Sequence, residues 1–201
     1  MIYRRTKLVR GVGINDADYV TQIYEVDAGT GKRKSKWKCP IYAIWVGMLQ
    51  RCYSVKLHQI QPTYIDCTVC EEWKVFSKFK QWVDTQDYIN KELDKDLLCK
   101  GNKVYSPTTC VFIPKKLNAF LLDSTASRGN YLLGTHWHKP LKKFAAKCGN
   151  PFTNSRKHLG YFAEEVEAHL AWKAYKHSLA IEFAKLETDP RIIAALSTRF
   201  I

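Results

Sequence analysis

The stretch from Leu93 to Asn118 constrains the fold of this chain more than any other, and it reads LDKDLLCKGNKVYSPTTCVFIPKKLN. A short apolar run with flanking acids comes first, and a turn follows at Gly101-Asn102. A second strand-like run and an apolar segment ending at Ile113 precede the residues that close on Asn118. Strand, glycine turn, strand and helix is the order of a ββα unit. Because such a unit is too small to bury a core alone, the helices before it are expected to pack against it.

This segment resembles the His-Me finger (HNH) nucleases, specifically phage-type homing endonucleases whose pattern reads LDKD, then GNK-YSP-TC-F, then N. The resemblance implies one divalent-metal site, for Mg²⁺ or a similar cation, with Asp94 and Asn118 as ligands. It also implies that Asn102 steadies the finger. Lys95 stands where members that cut usually have a histidine as general base, so Lys95 and Asn102 are the candidate catalytic residues.

The identity of the general base is left open by this resemblance. A lysine must lose its proton before it can act as a base. The candidates are Lys95, by its position, and a histidine brought near by folding, namely His58, His136 or His138. A different interpretation of residues 94–96 is a charged hairpin end without any catalytic role.

The overall charge points to a polyanionic partner. The formal net charge is +13 and the isoelectric point is near 9.4. Nucleic acid is the commonest partner of such a chain, and an anionic membrane surface is the weaker alternative. The high aromatic content, 6 Trp, 11 Tyr and 9 Phe, excludes a disordered tail protein. With no run of about 18 apolar residues and no apolar signal-peptide core, the protein is expected to be intracellular and cytoplasmic.

Residues 1–38 are predicted to form a basic N-terminal arm. A glycine-containing segment from Gly29 leads into a basic run that includes Lys32, Arg33 and Lys34. Such a run is a solvated loop or, beside a nucleic-acid-binding domain, a set of phosphate contacts. Lys32, Arg33 and Lys34 are therefore candidate DNA-binding residues.

Residues 39–122 are predicted to be the HNH-like nuclease domain, with N-terminal helices packed on the ββα unit in an α+β fold. Apolar residues recur at three- and four-residue spacing after Cys39-Pro40, and again between Glu71 and Val83. The aromatic residues in the second of these segments are interpreted as core rather than as stacking platforms for bases.

Four of the seven cysteines have a spacing that invites a metal interpretation. Cys67 and Cys70 form a CxxC pair, and with Cys99 and Cys110 they would complete a four-thiolate zinc site. The alternative is that these are small buried thiols, because ten residues including the turn separate Cys99 from Cys110. In a reducing compartment disulfides are not expected.

A polar linker at residues 123–130 precedes a second unit, predicted as three strands and one helix over residues 131–186, with a C-terminal helix over 187–201. Seven Lys or Arg residues and no Asp or Glu lie between Arg128 and Ala163. Charge of a single sign over this length predicts a strongly positive sheet face. The Asp189-Pro190 pair predicts the start of the C-terminal helix.

The second unit resembles the plant ethylene-response-factor (APETALA-type) DNA-binding domain, most specifically in LGYF followed by an acidic helix start. That resemblance implies a three-stranded sheet laid into the major groove of double-stranded DNA. The residues it assigns to DNA contact, together with Arg128 of the linker, are Trp137, Lys139, Lys143, Lys147, Arg156 and Lys157. The relative scarcity of arginine predicts fewer bidentate guanine contacts and lower sequence specificity.

The sequence therefore supports two main hypotheses. The first is a metal-dependent DNA endonuclease of the homing type, which would nick as a monomer or cut both strands as a homodimer. The second is a DNA-binding regulator or blocker with an inactive finger, and Lys95 is the feature that favours it. A more distant third is a zinc-stabilised protein-interaction module.

Overall fold

The computed structural model describes residues 8–122 and 130–201. It is an α+β protein, as predicted, and it divides into two compact units, one ending at Phe112 and the other starting at Ile113. The sequence placed the boundary later, at residues 123–130. Residues 123–129 lie outside the described part of the chain, so that linker stays a prediction.

The N-terminal part of the first unit, within residues 8–38 of the predicted arm, contains a hairpin and a segment that packs on the helices. Strands β1 (Gln22–Val26) and β2 (Arg33–Lys38) pair antiparallel. Before them, Gly13 lies against the helical core, where an added Cβ would come within 2.5 Å of Leu49 Cδ1. The absence of a side chain at Gly13 therefore allows residues 9–17 to pack on the helices.

Aromatic side chains build the core of the first unit, which confirms their interpretation as core residues. The helices are α1 (Pro40–Tyr53), α2 (Val55–Ile60) and α3 (Phe76–Val83). The indole of Trp45 donates a hydrogen bond from Nε1 to the backbone oxygen of Trp73 at 2.6 Å, so the polar atom of this buried ring is satisfied. The largest fully buried side chains of these elements include Trp45, Trp73, Phe76, Phe79 and Met48.

The strands around the Gly101-Asn102 turn pair differently from a simple hairpin. Strand β3 (Thr68–Val69) pairs parallel with β5 (Val104–Tyr105), and β4 (Lys91–Asp94) pairs with β6 (Val111–Pro114). The two runs that flank the turn are thus not hydrogen-bonded to each other. Helix α4 (Lys115–Leu121) follows β6 and carries Asn118; it lies in the second unit, because the division between the units falls inside β6.

The second unit contains the predicted three-stranded antiparallel sheet followed by a helix. The strand order is β7-β8-β9. The C-terminal helix begins after Asp189, whose carboxylate accepts a hydrogen bond from the backbone N–H of Arg191, as the Asp-Pro pair predicted. The elements are β7 (Thr135–His138), β8 (Lys143–Asn150), β9 (Ser155–Phe162), α5 (Glu165–Ala184) and α6 (Pro190–Thr198).

The apolar face of α5 was predicted in part. The sequence predicts that it consists of Val166, Leu170, Ala174, Leu179, Phe183 and Ala184. The last three are buried, whereas Val166, Leu170 and Ala174 are exposed. The ring of Trp172 lies directly over Gly134, and the Tyr175 hydroxyl accepts a hydrogen bond from Asn150. Trp172 and Tyr175 lie roughly half a turn around the helix from Leu170. Because they face the sheet, the side of the helix that carries Leu170 faces away from it.

No helix within residues 8–122 and 130–201 is both long enough and apolar enough to cross a membrane.

Candidate active site and nucleic-acid interface

We use the name finger loop for residues 94–102, which connect β4 to β5. Asp94 ends β4, and its Oδ1 accepts hydrogen bonds from the backbone N–H groups of Asp96 at 2.8 Å and Leu97 at 2.6 Å. Burial raises the pKa of the Asp94 carboxyl, and the two amide hydrogen bonds act in the opposite direction. A carboxylate with one oxygen on the loop backbone retains a second oxygen with which to bind a hard cation.

Lys95 points into the finger loop. Its Nζ donates to Asp96 Oδ2 at 2.7 Å and to the backbone oxygen of Asn102 at 2.8 Å, and the residue is only 5% exposed. The ammonium also lies 5.9 Å from the centroid of the Tyr105 ring. The position that the resemblance assigns to a general base therefore holds a side chain that ties the two ends of the loop together.

Asn102 closes the loop from the other end. Its Nδ2 donates to the backbone oxygens of Lys95 at 2.9 Å and Val104 at 2.7 Å, and its Oδ1 accepts from the N–H of Val104 at 3.2 Å. The preceding Gly101 has a φ of +78°, a left-handed conformation that glycine adopts without strain. Through these contacts the Asn102 side chain links the backbone at Lys95 to the backbone at Val104.

Arg51 contacts Tyr105 of β5, the strand that follows the finger loop, and the sequence did not identify it. Its Nε donates to the hydroxyl of Tyr105 at 3.0 Å, and the guanidinium carbon lies 5.5 Å from the centroid of that ring. Burial raises the pKa of the Tyr105 hydroxyl, so this hydroxyl stays protonated. The sequence does contain a signal for this contact, because Arg51 lies in the last turn of the largely apolar helix α1. A charged side chain that is buried at such a position needs a partner.

The metal ligands that the resemblance names lie in different units, Asp94 in the first and Asn118 in the second. The divalent cation that these two residues would share stays a prediction. Across the described ranges, no group of three or more His, Cys, Asp or Glu side chains is arranged to hold a metal ion.

The four cysteines of the hypothetical zinc site differ in exposure. Cys67 and Cys110 are buried, Cys70 is half-buried and Cys99 is exposed. Burial raises the pKa of the Cys67 and Cys70 thiols, and it raises the pKa of the Cys110 thiol to about 12. These three are thiols rather than thiolates at neutral pH in the absence of a metal. The zinc site remains a hypothesis.

The register of the sheet in the second unit defines a face that points away from α5, because side chains of cross-strand partners lie on the same side. Cys148 and Asn150 point toward α5, so the alternate positions of β8, at Lys143 and Lys147, point the other way. A register shift after Ala146 keeps Lys147 opposite His158 and Gly149 opposite Arg156. We call this side the open face; its polar and aromatic side chains are His136, His138, Lys143, Lys147, Arg156, His158 and Tyr161.

The open face is positive and rich in imidazole. Burial lowers the pKa of His136, and the positive charges of Lys147, His138 and His158 lower it further. The rings of His138 and His158 lie 4.9 and 4.5 Å from the Tyr161 ring. Nδ1 of His138 is buried without a hydrogen-bond partner in the described structure. No Asp or Glu lies between residues 130 and 163, so no acid from these strands offsets the positive charge.

Two predicted DNA-contact residues lie on the opposite side of the sheet from the open face. Trp137 pairs with Phe144, whose ring it meets edge-on at 4.8 Å, and Lys157 places Nζ 4.6 Å from the ring of Tyr175 on α5. The reason is the alternation of side chains along a strand, which puts Lys157 and Arg156 on different faces.

The remaining residues that the sequence predicted for DNA contact or for catalysis have the following positions. Lys139 lies in the turn between β7 and β8 and is exposed, and Lys32, Arg33 and Lys34 are exposed on the hairpin of the first unit. Arg128 lies outside the described residues. His58 Nε2 is hydrogen-bonded to the backbone oxygen of Arg51 at 2.8 Å, within the first unit. His158 and Tyr161 were not singled out from the sequence, since only the register brings them beside His138.

Comparison of the chain with family models, with curated proteins and with solved structures found no match in any of the three. What the protein does is therefore inferred from the chemistry of the finger loop and the open face.

Proposed function

We propose that this chain is a metal-dependent DNA endonuclease of the HNH type, which holds double-stranded DNA on the open face and hydrolyses a phosphodiester bond at the finger loop. The observation that carries the proposal is the open face itself. Lys143, Lys147 and Arg156 share it with three histidines, and its strands contain no acidic residue. Such a surface neutralises phosphates and releases their counterions, which is the main source of affinity for DNA.

The finger loop supports the hydrolytic part of the proposal. Asp94 is a hard oxygen ligand at a strand end, and Asn102 braces the loop behind it. Mg²⁺ commonly binds through one or two protein oxygens together with substrate phosphates, so the Asp94 carboxylate suits it, and the resemblance names the Asn118 amide as a second ligand. When bound, the ion polarises the scissile phosphate and lowers the pKa of a bound water. The general base is unassigned.

A second function is favoured by one observation, the burial of Lys95. An ammonium that donates to Asp96 and to the Asn102 backbone is not available to take a proton from water. A missing base costs about 10²–10⁴ in rate. The alternative is therefore a DNA-binding regulator, or a blocker of another nucleic-acid enzyme, whose finger keeps its shape and has lost its activity.

The test is the conversion of supercoiled plasmid to nicked or linear product with Mg²⁺, Mn²⁺ or Zn²⁺, compared with EDTA. The wild-type chain is expected to convert the plasmid with a divalent metal, and Asp94→Ala is expected not to. Asp87→Ala, which removes an exposed carboxylate elsewhere in the same unit, is the matched control and should cut like wild type.

Two results would reject the nuclease. Plasmid that stays intact under every metal, together with DNA binding that weakens steeply with salt, assigns the second function. Intact plasmid without DNA affinity at low salt, together with bound zinc in metal analysis, assigns the zinc-stabilised interaction module.

A further inference from the structure

A cavity of about 1020 Å³ lies within the second unit. Its walls come from α4, the segment before β7, the end of β8, the start of β9, and α5. Small-molecule sites commonly have volumes of about 300–1,000 Å³, so this cavity has room for a ligand of metabolite size. It lies beside the edge of β8 that is left unpaired where β7 ends, since β7 pairs only as far as Ala146.

The walls of the cavity are cationic. None of the residues that line it is acidic. Its four Lys and Arg residues are Lys116, Lys147, Arg156 and Lys176. No ion pair with a carboxylate is found for these four residues in the described ranges. A group of cations that face one cavity without a counter-charge repel one another, and an anion in the cavity relieves that repulsion.

Lys176 is the most informative of the four. Its Nζ donates to the backbone oxygen of Phe120 at 2.6 Å and lies 3.7 Å from the centroid of the Phe120 ring. Burial lowers its pKa, which records the cost of holding this ammonium out of water. An ammonium has three N–H donors, and a phosphate oxygen in the cavity would accept one that the Phe120 carbonyl does not use.

An aromatic wall stands beside these cations. The indole of Trp172 lines the cavity and packs so closely on Gly134 that an added Cβ would overlap its Cδ1. Phe120 and Tyr131 also line the cavity. Rigid aromatic rings next to cations are the combination that binds a nucleobase and its phosphate.

We propose that this cavity binds a nucleotide, with its phosphate on the lysines and Arg156 and its base against the aromatic wall. His136, Lys147 and Arg156 belong both to the cavity and to the open face, so the cavity continues the DNA-binding surface. The nucleotide comes either from solution or from DNA, as a base turned out of its stack. The DNA source rests on the proposed function; the affinity for a free nucleotide does not.

The first arm of the test uses free ligands and the full chain. Binding of dAMP, dGMP, dCMP and dTMP is measured by calorimetry, with the matching nucleosides and inorganic phosphate as comparisons. The nucleotides are expected to bind about tenfold or more tightly than either part alone.

Three variants test the cavity residues: Lys176→Met, Lys116→Met and Trp172→Phe should each weaken nucleotide binding several-fold. The control is Lys185→Met, because Lys185 is exposed at the end of α5 and does not line the cavity; this variant should bind like wild type. A thermal melt of each variant separates lost binding from lost folding.

The second arm uses a duplex with 2-aminopurine opposite an abasic position, because the fluorescence of this base rises when it leaves the stack. The wild-type chain is expected to raise the fluorescence several-fold, and Lys116→Met to reduce the increase. A rise in 2-aminopurine fluorescence without binding of free nucleotides shows that the cavity takes a base from DNA. Binding of free nucleotides without a rise in fluorescence shows that it takes a nucleotide from solution.

Failure of the inference and failure of the proposed function are distinguishable. If the duplex binds but neither a fluorescence rise nor nucleotide binding is seen, the cavity proposal is overturned and the DNA-binding proposal stands. If free nucleotides bind but DNA does not, the cavity proposal stands without the DNA source, and the proposed function is rejected.

Discussion

At the scale of the residue, Asp94 is held at a cost in stability. Burial raises the pKa of its carboxyl above the value in the unfolded chain. A raised pKa of this kind gives a stabilising contribution that is complete at low pH and is lost as the pH rises through the folded-state value. A buried strand-end carboxyl whose pKa is raised is more typical of a functional site than of a structural ion pair.

Asp94→Asn should therefore make the protein more stable while removing metal-dependent cleavage. The carboxamide oxygen still accepts the amide hydrogen bonds of Asp96 and Leu97, and the desolvated charge is gone. We expect a rise of about 2–4 °C in the melting temperature at pH 7.5, corresponding to about 1 kcal/mol. Thermal melts and the plasmid assay measure the two effects. A lower melting temperature with unchanged cleavage would show that Asp94 is structural.

Lys95→Met tests whether the buried ammonium takes part in the chemistry. The variant loses the hydrogen bonds to Asp96 and to the Asn102 backbone, and it leaves a buried carbonyl without its donor. We expect a loss of about 1–3 kcal/mol in the free energy of unfolding. Cleavage per folded molecule should stay within about threefold of wild type, because the side chain points into the loop. A large loss of cleavage without a loss of stability would instead identify Lys95 as the base.

The histidines of the open face should make DNA affinity depend on pH. Burial and neighbouring positive charge lower the pKa of His136, so the free protein carries this imidazole neutral at pH 7.5. DNA favours the charged form, and affinity should therefore rise as the pH falls from 7.5 to 5.5. Fluorescence anisotropy at constant ionic strength measures the change. His136→Gln should flatten the profile, and His58→Gln in the first unit should leave it unaltered.

At the scale of the element, the sheet of the second unit separates basic residues that are neighbours in sequence. Arg156 and Lys157 are adjacent, yet the pairing of β8 with β9 places them on opposite faces. Lys157 lies over the Tyr175 ring of α5, while Lys147 lies beside the open-face histidines.

Lys147→Gln and Lys157→Gln form a matched pair that tests this assignment. The plot of the logarithm of DNA affinity against the logarithm of salt concentration should lose about one unit of slope for Lys147→Gln, since one phosphate contact is removed. The slope should be unchanged for Lys157→Gln. Equal losses in both variants would show that DNA does not distinguish the two faces, and the open face would no longer be the interface.

At the scale of the whole molecule, the proposed endonuclease has one finger loop per chain, at residues 94–102, and would hydrolyse one strand of DNA per chain. A monomer should therefore nick supercoiled plasmid, and a homodimer should produce linear DNA. We expect nicked product at low protein concentration, and a share of linear product that grows with concentration if the chain dimerises. Time courses over a hundredfold range of protein concentration, alongside sedimentation of the chain, measure this. A fixed linear share at all concentrations, from a chain that sediments as a monomer, would contradict the expectation.

The parts of the fold that the sequence predicted correctly are those that local interactions determine. Helix α1, the capped start of α6, and the order of three strands and a helix in the second unit follow from apolar spacing, from the Asp189-Pro190 pair and from turn residues. The net positive charge of the second unit was equally visible, because composition does not depend on the fold. The apolar face of α5 was predicted correctly at its C-terminal end, at Leu179, Phe183 and Ala184, and wrongly at Val166 and Leu170. There the packing of Trp172 against Gly134, and not hydropathy, orients the helix.

The sequence by itself therefore determined helix α1, the start of α6, the order of elements in the second unit, the turn at Gly101-Asn102 and the positive charge. Only the tertiary structure decided that β4 pairs with β6 and β5 with β3, that Lys95 turns inward, and that His136, His138 and His158 meet on one face. The physical reason is that strand register and side-chain direction depend on partners far away in the chain. A shift of one residue in register would exchange the two faces of the sheet without changing the local propensity of any residue.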